Sequence, residues 1–236
     1  MTTTAQELTI HGIDLPLTAE DVSPVIWQSL ITGSYEAKEA RQARRLLRGG
    51  DRVLELGSGI GVITAVMAKT EGVTIWSYDA NPHTVALARR VAAANGIKNV
   101  TFNHGLMTAG QPETHSFYIR RDFWMSSMLE SQGPYEDVIS LPSQNIDDFL
   151  VRNRINVLVM DIEGAERELL GSAALDGVER IFLELHDHLY GLAGVHDIFR
   201  TMTERGFIYD PRNSSGPCVL FTRDDGVVRS YCPDDL

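Results

Sequence analysis

The stretch RVLELGSGIGVITAVMA, residues 52–68, decides the fold. An apolar, β-prone run ends in Gly57, Gly59 and Gly61, and a helix-forming pattern follows at once. Strand, glycine turn and helix start in that order form the ligand-binding corner of an open α/β sheet, because ligands lie beyond the carboxyl ends of its strands. The spacing also excludes one ligand class. A dinucleotide fingerprint, GxGxxG, requires glycine three positions after Gly59, and the chain has Val62 there. The pattern is GxGxG preceded by Glu55, which makes a nicotinamide dehydrogenase a distant reading.

Outward from this corner, β-rich runs alternate with helical patterns. The strands are read at 73–79, 99–103, 156–161 and 180–186, and the helices at 60–70, 82–95, 164–171 and 194–205. This rhythm predicts a parallel sheet with helices on both faces. Pro82 suits a first helical turn and Gly96 follows a helix end. Ahead of the corner stand a small hairpin around LTIHGIDLPL (8–17) and helical patterns at 22–31 and 36–48. GFIYD and CVLFTR, near the other end, read as a final antiparallel hairpin. Residues 104–143 interrupt the alternation, with one strand at HSFYIR and an irregular stretch of the kind that serves as a lid or binding loop. The expectation is therefore one domain over 1–236: an N-terminal cover (1–50) and a Rossmann-like core (51–236) with a substrate-side insertion at 104–143.

A formal net charge of -11 argues against nucleic acid as a partner, since Lys and Arg supply most of the affinity for phosphate backbones. Arg41, Arg44, Arg45 and Arg48 form a basic helical patch that reads as a solvated face. No apolar run approaches the roughly 18 residues of a membrane span. MTTTAQELTIHG lacks a basic start and apolar segment, so a cytoplasmic location is expected. Cys218 and Cys232 belong to no CxxC pair and form no framework.

ExGxGxG before a helix resembles motif I of the class I S-adenosylmethionine-dependent methyltransferases. A narrower likeness follows: SQNIDDFLVRNRINVLVMDIEGAERELLGSAAL (143–175) resembles the signature of the FkbM family, as do GSYEAKEARQARRLLRGGDRVLELGSGIG (33–61) and FLELH (182–186). The likeness implies a three-layer α/β sandwich: a mostly parallel seven-stranded sheet with a C-terminal antiparallel hairpin. It also implies S-adenosyl-L-methionine as cofactor and methyl transfer to a hydroxyl of a sugar or natural-product small molecule. The loop residues Glu55, Gly57, Ser58, Gly59 and Gly61 would hold the methionine part, with Asp79 on the ribose hydroxyls and Ala80 and Asn81 beside the adenosine. His104, Gly105 and Leu106 map to the adenine, and Tyr35 and Glu36 to the closing of the pocket.

The acidic run after the strand at 156–161 opens into the same cleft. An alcohol is a poor nucleophile until a base takes its proton, so Asp161 is the first candidate base and His186 the second, with Glu163 as a helper. Asp161 is also placed among the cofactor contacts. Structural roles compete for each: Asp79 as cap of the helix near Pro82, Asp161 and Glu163 beside the positive end of the helix near Gly164, and His186 as a bonded strand-end residue. Glu166 can reach back to the cleft, and Glu168 reads as solvated. No self-sufficient metal motif is present. A divalent-cation-dependent catechol or diol O-methyltransferase, with Asp161, Glu163 and Asp187 as oxygen ligands, is the alternative enzyme. A cofactor-binding scaffold without transferase activity is the alternative from another class. Trp124, Met125, Met128 and Tyr135 offer an apolar or sugar-stacking wall for the acceptor, with a place in the core as the equal competing role.

Overall fold

The computed structural model describes residues 8–230; Cys232 lies outside them. The described chain enters as a hairpin, β1 (Leu8–Ile10) and β2 (Ile13–Leu15), followed by α1 (Pro24–Ile31) and α2 (Ala37–Leu46). Then come β3 (Arg52–Leu56), α3 (Val62–Ala68), β4 (Thr74–Asp79), α4 (Pro82–Ala94) and β5 (Val100–His104). Three strands follow without an α-helix between them: β6 (Leu106–Thr108), β7 (Thr114–Ile119) and β8 (Asp137–Asn145), with short 3-10 turns at Phe123–Met125 and Glu130–Gln132 between the last two. The remainder is α5 (Ile146–Asn153), β9 (Val157–Met160), α6 (Glu166–Ser172), β10 (Arg180–Glu184), α7 (Asp187–Glu204), β11 (Phe207–Tyr209) and β12 (Cys218–Arg223).

Seven strands make the central sheet in the order β11-β12-β10-β9-β3-β4-β5. The five from β10 to β5 are parallel. The sheet is thus mostly parallel, with helices on both faces. β12 does not extend its edge but inserts between β10 and β11, antiparallel to both. From β3 the chain builds outward to β4 and β5, then returns to lay β9 on the other side of β3. That reversal opens a crevice at the carboxyl ends of β3 and β9, where ligands of open α/β sheets bind.

Period-two alternation explains the two cores. Val53, Val157 and Val159 face the N-terminal elements and α3, with Ile13, Leu30 and Ala43. Leu54, Leu56, Leu158 and Met160 face α5, α6 and α7, with Leu150, Leu170 and Ile198. Buried on both faces, such strands read as nearly continuous hydrophobic runs. Asn81 caps α4, accepting from the His83 N–H at 3.0 Å, with Pro82 in the first turn.

Three elements depart from expectation for local reasons. α6 starts at Glu166 because Glu163 (φ 50°) and Gly164 (φ 99°) are left-handed. α7 starts at Asp187 rather than near 194, running through a kink at Gly191 (φ 65°, ψ 174°). The interruption carries a second sheet, β6-β8-β7, whose long strand β8 contains Pro142. Among the described residues no helix is long and apolar enough to cross a membrane.

Candidate functional site

A cleft of about 860 Å³, counting space open to solvent, lies over the carboxyl ends of β3, β4 and β9. Its floor is the glycine loop. Gly57 is left-handed (φ 84°), and its N–H donates to Tyr78 O at 2.8 Å. A β-carbon on Gly57 would stand 1.7 Å from the Asp161 carbonyl oxygen, so the loop and the end of β9 touch backbone to backbone. Gly61 serves packing instead, because a β-carbon there would meet Ala88 Cβ at 2.8 Å.

Asp79 ties the loop to α4. Its Oδ2 accepts from Gly59 N–H at 2.9 Å and its Oδ1 from Asn81 N–H at 2.8 Å. The helix cap is Asn81, so Asp79 is not consumed by that role. A carboxylate offers about four lone-pair sites, so Asp79 keeps accepting capacity for a ligand hydroxyl. Burial, partly offset by bonds from Asn81, Thr84 and Gly59, raises its pKa to about 6.

The sequence-marked residues divide into two groups. Gly57, Gly59, Asp79, Ala80, Asn81, Gly105, Leu106, Asp161 and Glu163 all line the cleft, as do Tyr35 and Glu36. Glu55, Ser58, Gly61 and His186 do not. Alternation turns Glu55 into the sheet's other face, where its carboxyl accepts from Thr64 Oγ1 at 2.6 Å and burial raises its pKa to about 7. Its contact is with the first turns of α3, so it supports the loop. Ser58 is buried and its Oγ has no hydrogen-bond partner. His104 instead bonds Ala80 O at 2.9 Å. Trp124 and Met128 reach the cleft; Met125 and Tyr135 are not among its walls. Sequence reasoning missed Tyr78, Thr84, Met107, Phe117, Phe123 and Ser126, which also line the cleft. For Phe117 a signal existed, the apolar alternation of β7; for Thr84 it was the turn after the cap.

Past β9, the chain turns sharply and Glu166 organises the turn. Its fully buried carboxylate accepts from Ile162 N–H and Gly164 N–H, each at 3.0 Å, and its Oε1 lies 3.0 Å from His186 Nδ1. His186 Nε2 lies 3.3 Å from Asp161 Oδ1 and 3.7 Å from Glu163 Oε1. The first contact is an ion pair outside hydrogen-bond geometry, and Asp161 Oδ1 has no hydrogen-bond partner. Burial disfavours the imidazolium, but the neighbouring Asp161 and Glu166 carboxylates outweigh it and raise the His186 pKa to about 11. Burial raises Glu163 to about 8, against the opposing pull of His186. Neither Asp161 nor Glu163 caps α6, which has no side-chain cap. Glu168 is exposed.

Oxygen and nitrogen atoms of Asp161, Glu163 and His186 all lie within 4.8 Å of one another, a spacing that suits a cation; Asp187 is not part of the group. The cleft also fits S-adenosylmethionine: a carboxylate with free lone pairs at Asp79, apolar walls at Leu106 and Phe117, and unpartnered oxygens on Glu36 and Asp161.

Sheet order and switch-point cleft together define a class I, Rossmann-like methyltransferase fold. The chain belongs to the methyltransferase FkbM domain family, whose model matches residues 50–209. S-adenosylmethionine is the methyl donor that goes with this membership. The chain is 39% identical over 72 residues to a protein-L-isoaspartate O-methyltransferase of Anaeromyxobacter dehalogenans, covering 30% of this chain and 34% of that one. It is 40% identical over 60 residues to the 23S rRNA (uracil(1939)-C(5))-methyltransferase RlmD of Shewanella, covering 25% and 13%. The matches thus span about a third of the first relative's length and 13% of the second's. Among solved structures, Trm5b from Pyrococcus abyssi superposes with a TM-score of 0.50 at 14% identity, covering 94% of this chain and 55% of that one. That likeness concerns the fold.

Proposed function

We propose that this protein is an S-adenosylmethionine-dependent O-methyltransferase acting on a hydroxyl of an uncharged small molecule such as a sugar or natural product, with Asp161 as the general base. One observation carries the proposal: Asp161, backbone to backbone with the glycine loop, has a half-exposed side chain at the cleft, its buried Oδ1 facing His186 Nε2 at 3.3 Å. The cofactor supplies an electrophilic methyl group on a sulfonium. The protein's part is to hold the acceptor oxygen in line and take its proton as the bond forms. Asp161 takes the proton; the imidazolium of His186, fixed from behind by Glu166, orients its carboxylate. Held as a cation, His186 is a positioning residue rather than the base, and Glu163, with its raised pKa, donates a hydrogen bond to the acceptor.

The cleft lining supports an uncharged acceptor, since its charged residues are Glu36, Asp79, Asp161 and Glu163, with no Lys or Arg. A phosphate-bearing partner would meet repulsion there. In this reading the whole chain works as one domain, and the sheet β6-β8-β7 with Phe123, Trp124 and Met128 forms the acceptor side.

A second reading rests on the Asp161, Glu163 and His186 cluster. A divalent cation held there would acidify a diol, with Glu166 fixing the ligating imidazole through its other nitrogen. A screen of hydroxylated acceptors with and without EDTA separates the two: turnover unaffected by EDTA supports the base, and turnover abolished by EDTA and restored by Mg²⁺ supports the cation. No thermal shift with S-adenosylhomocysteine would sink both.

A further inference from the structure

Tyr35 and Glu36 reach the cleft from the turn between α1 and α2, outside the strands that carry the glycine loop. Glu36 is left-handed (φ 48°) and occupies the N-cap position of α2, yet its side chain makes no capping bond. It turns toward the glycine loop instead. A β-carbon on Gly59 would stand 3.9 Å from Glu36 Oε1 and 3.4 Å from the Tyr35 hydroxyl, so both side chains cover that glycine. Glu36 Oε2 is shut off from solvent and has no hydrogen-bond partner.

Two costs meet at this residue. A left-handed backbone on a non-glycine residue is strained, and an unpartnered buried acceptor adds its own desolvation penalty. Burial, then the nearby Asp161 charge, hold the Glu36 carboxyl well above the usual carboxylate range. A hydrogen bond from the Tyr35 side chain offsets part of this, but no cationic side chain lines the cleft to pair with the carboxyl. The missing partner is therefore a cationic hydrogen-bond donor brought by a ligand. Gly59 separates two acids: its N–H bonds Asp79, and its α-carbon faces Glu36. With the ribose on Asp79, the group that reaches the far side of Gly59 is the amino-acid arm. Its carboxylate is repelled by Glu36, and its ammonium has three donors.

We propose that Glu36 is the anionic acceptor for the α-ammonium of S-adenosylmethionine and so fixes the amino-acid end of the cofactor. The inference rests on the cofactor cleft described above. It is tested by calorimetric titration of wild type and Glu36→Gln with S-adenosylhomocysteine and with its analogue lacking only the α-amino group. Wild type is expected to favour S-adenosylhomocysteine by about tenfold or more, the worth of one hydrogen bond to a charged group. In Glu36→Gln that preference collapses through weaker S-adenosylhomocysteine binding, while the analogue's affinity stays within about twofold. Glu36→Gly, which relieves the left-handed backbone, must show the same collapse. Equal weakening of both ligands, or an unchanged preference, overturns the assignment. Failure of wild type to bind either ligand overturns the cofactor cleft itself.

Discussion

Asp79 and Asp161 end the two strands that flank β3, and their surroundings suit them to different work. Asp79 already accepts two backbone N–H groups and is proposed to receive the ribose. Its affinity for hydroxyl donors needs the carboxylate, so S-adenosylhomocysteine binding should weaken as pH falls through about 6, by up to about tenfold per pH unit below it. Isothermal titration at pH 5 and pH 7.5 checks this, and Asp79→Asn should flatten the profile. Glu166 has no exposed surface and three partners. Glu166→Ala would strand two buried N–H groups and the His186 imidazolium, each at roughly 1–3 kcal/mol. Thermal denaturation should therefore show a Tm loss well beyond that of Glu168→Ala on the exposed side of the same helix.

The β3–α3 and β9–α6 corners meet through glycine, and that contact sets a second expectation. Gly57→Ala would drive a β-carbon into the Asp161 carbonyl, so it should cost roughly 3 kcal/mol or more and abolish cofactor binding by calorimetry. The two corners also explain what the sequence made legible. β3 spans the predicted 52–56, and the parallel strands fall within a residue or two of expectation, because strands buried on both faces leave long apolar runs. β8 escaped notice because DVISLPSQN is polar, exposed at many positions and interrupted by Pro142. The loop motif marked Glu55, Ser58 and Gly61 together with true cleft residues. Neighbouring residues of one motif point to opposite sides, and only the folded turn separates them. The clamp of Glu166 on His186 joins residues 20 apart, a pairing that spacing does not reveal.

At the scale of the whole molecule, buried carboxyl groups collect near the carboxyl ends of the parallel strands. Burial is the first cause that raises Glu55 and Glu184 to about 7, Asp79 to about 6 and Glu163 to about 8. Each binds its proton more tightly folded than unfolded, so its contribution to stability is present at low pH and lost as pH rises through those values. The raised pKa of His186 acts in the same direction. Asp21, Asp197 and Asp210, whose pKa values are lowered, lose their contributions only below the carboxylate range. The cofactor-free protein should therefore melt several degrees lower at pH 8 than at pH 5, as read by differential scanning calorimetry. The proposed chemistry draws on the same acidic wall, and its most direct test is transfer of a radiolabelled methyl group from S-adenosylmethionine to uncharged hydroxylated acceptors by wild type and Asp161→Asn. The account predicts an alkali-stable methyl ether formed by wild type. Asp161→Asn should form it about 10²–10⁴ times more slowly while binding S-adenosylhomocysteine as before. An alkali-labile methyl ester as the product, or undiminished transfer by Asp161→Asn, would contradict it.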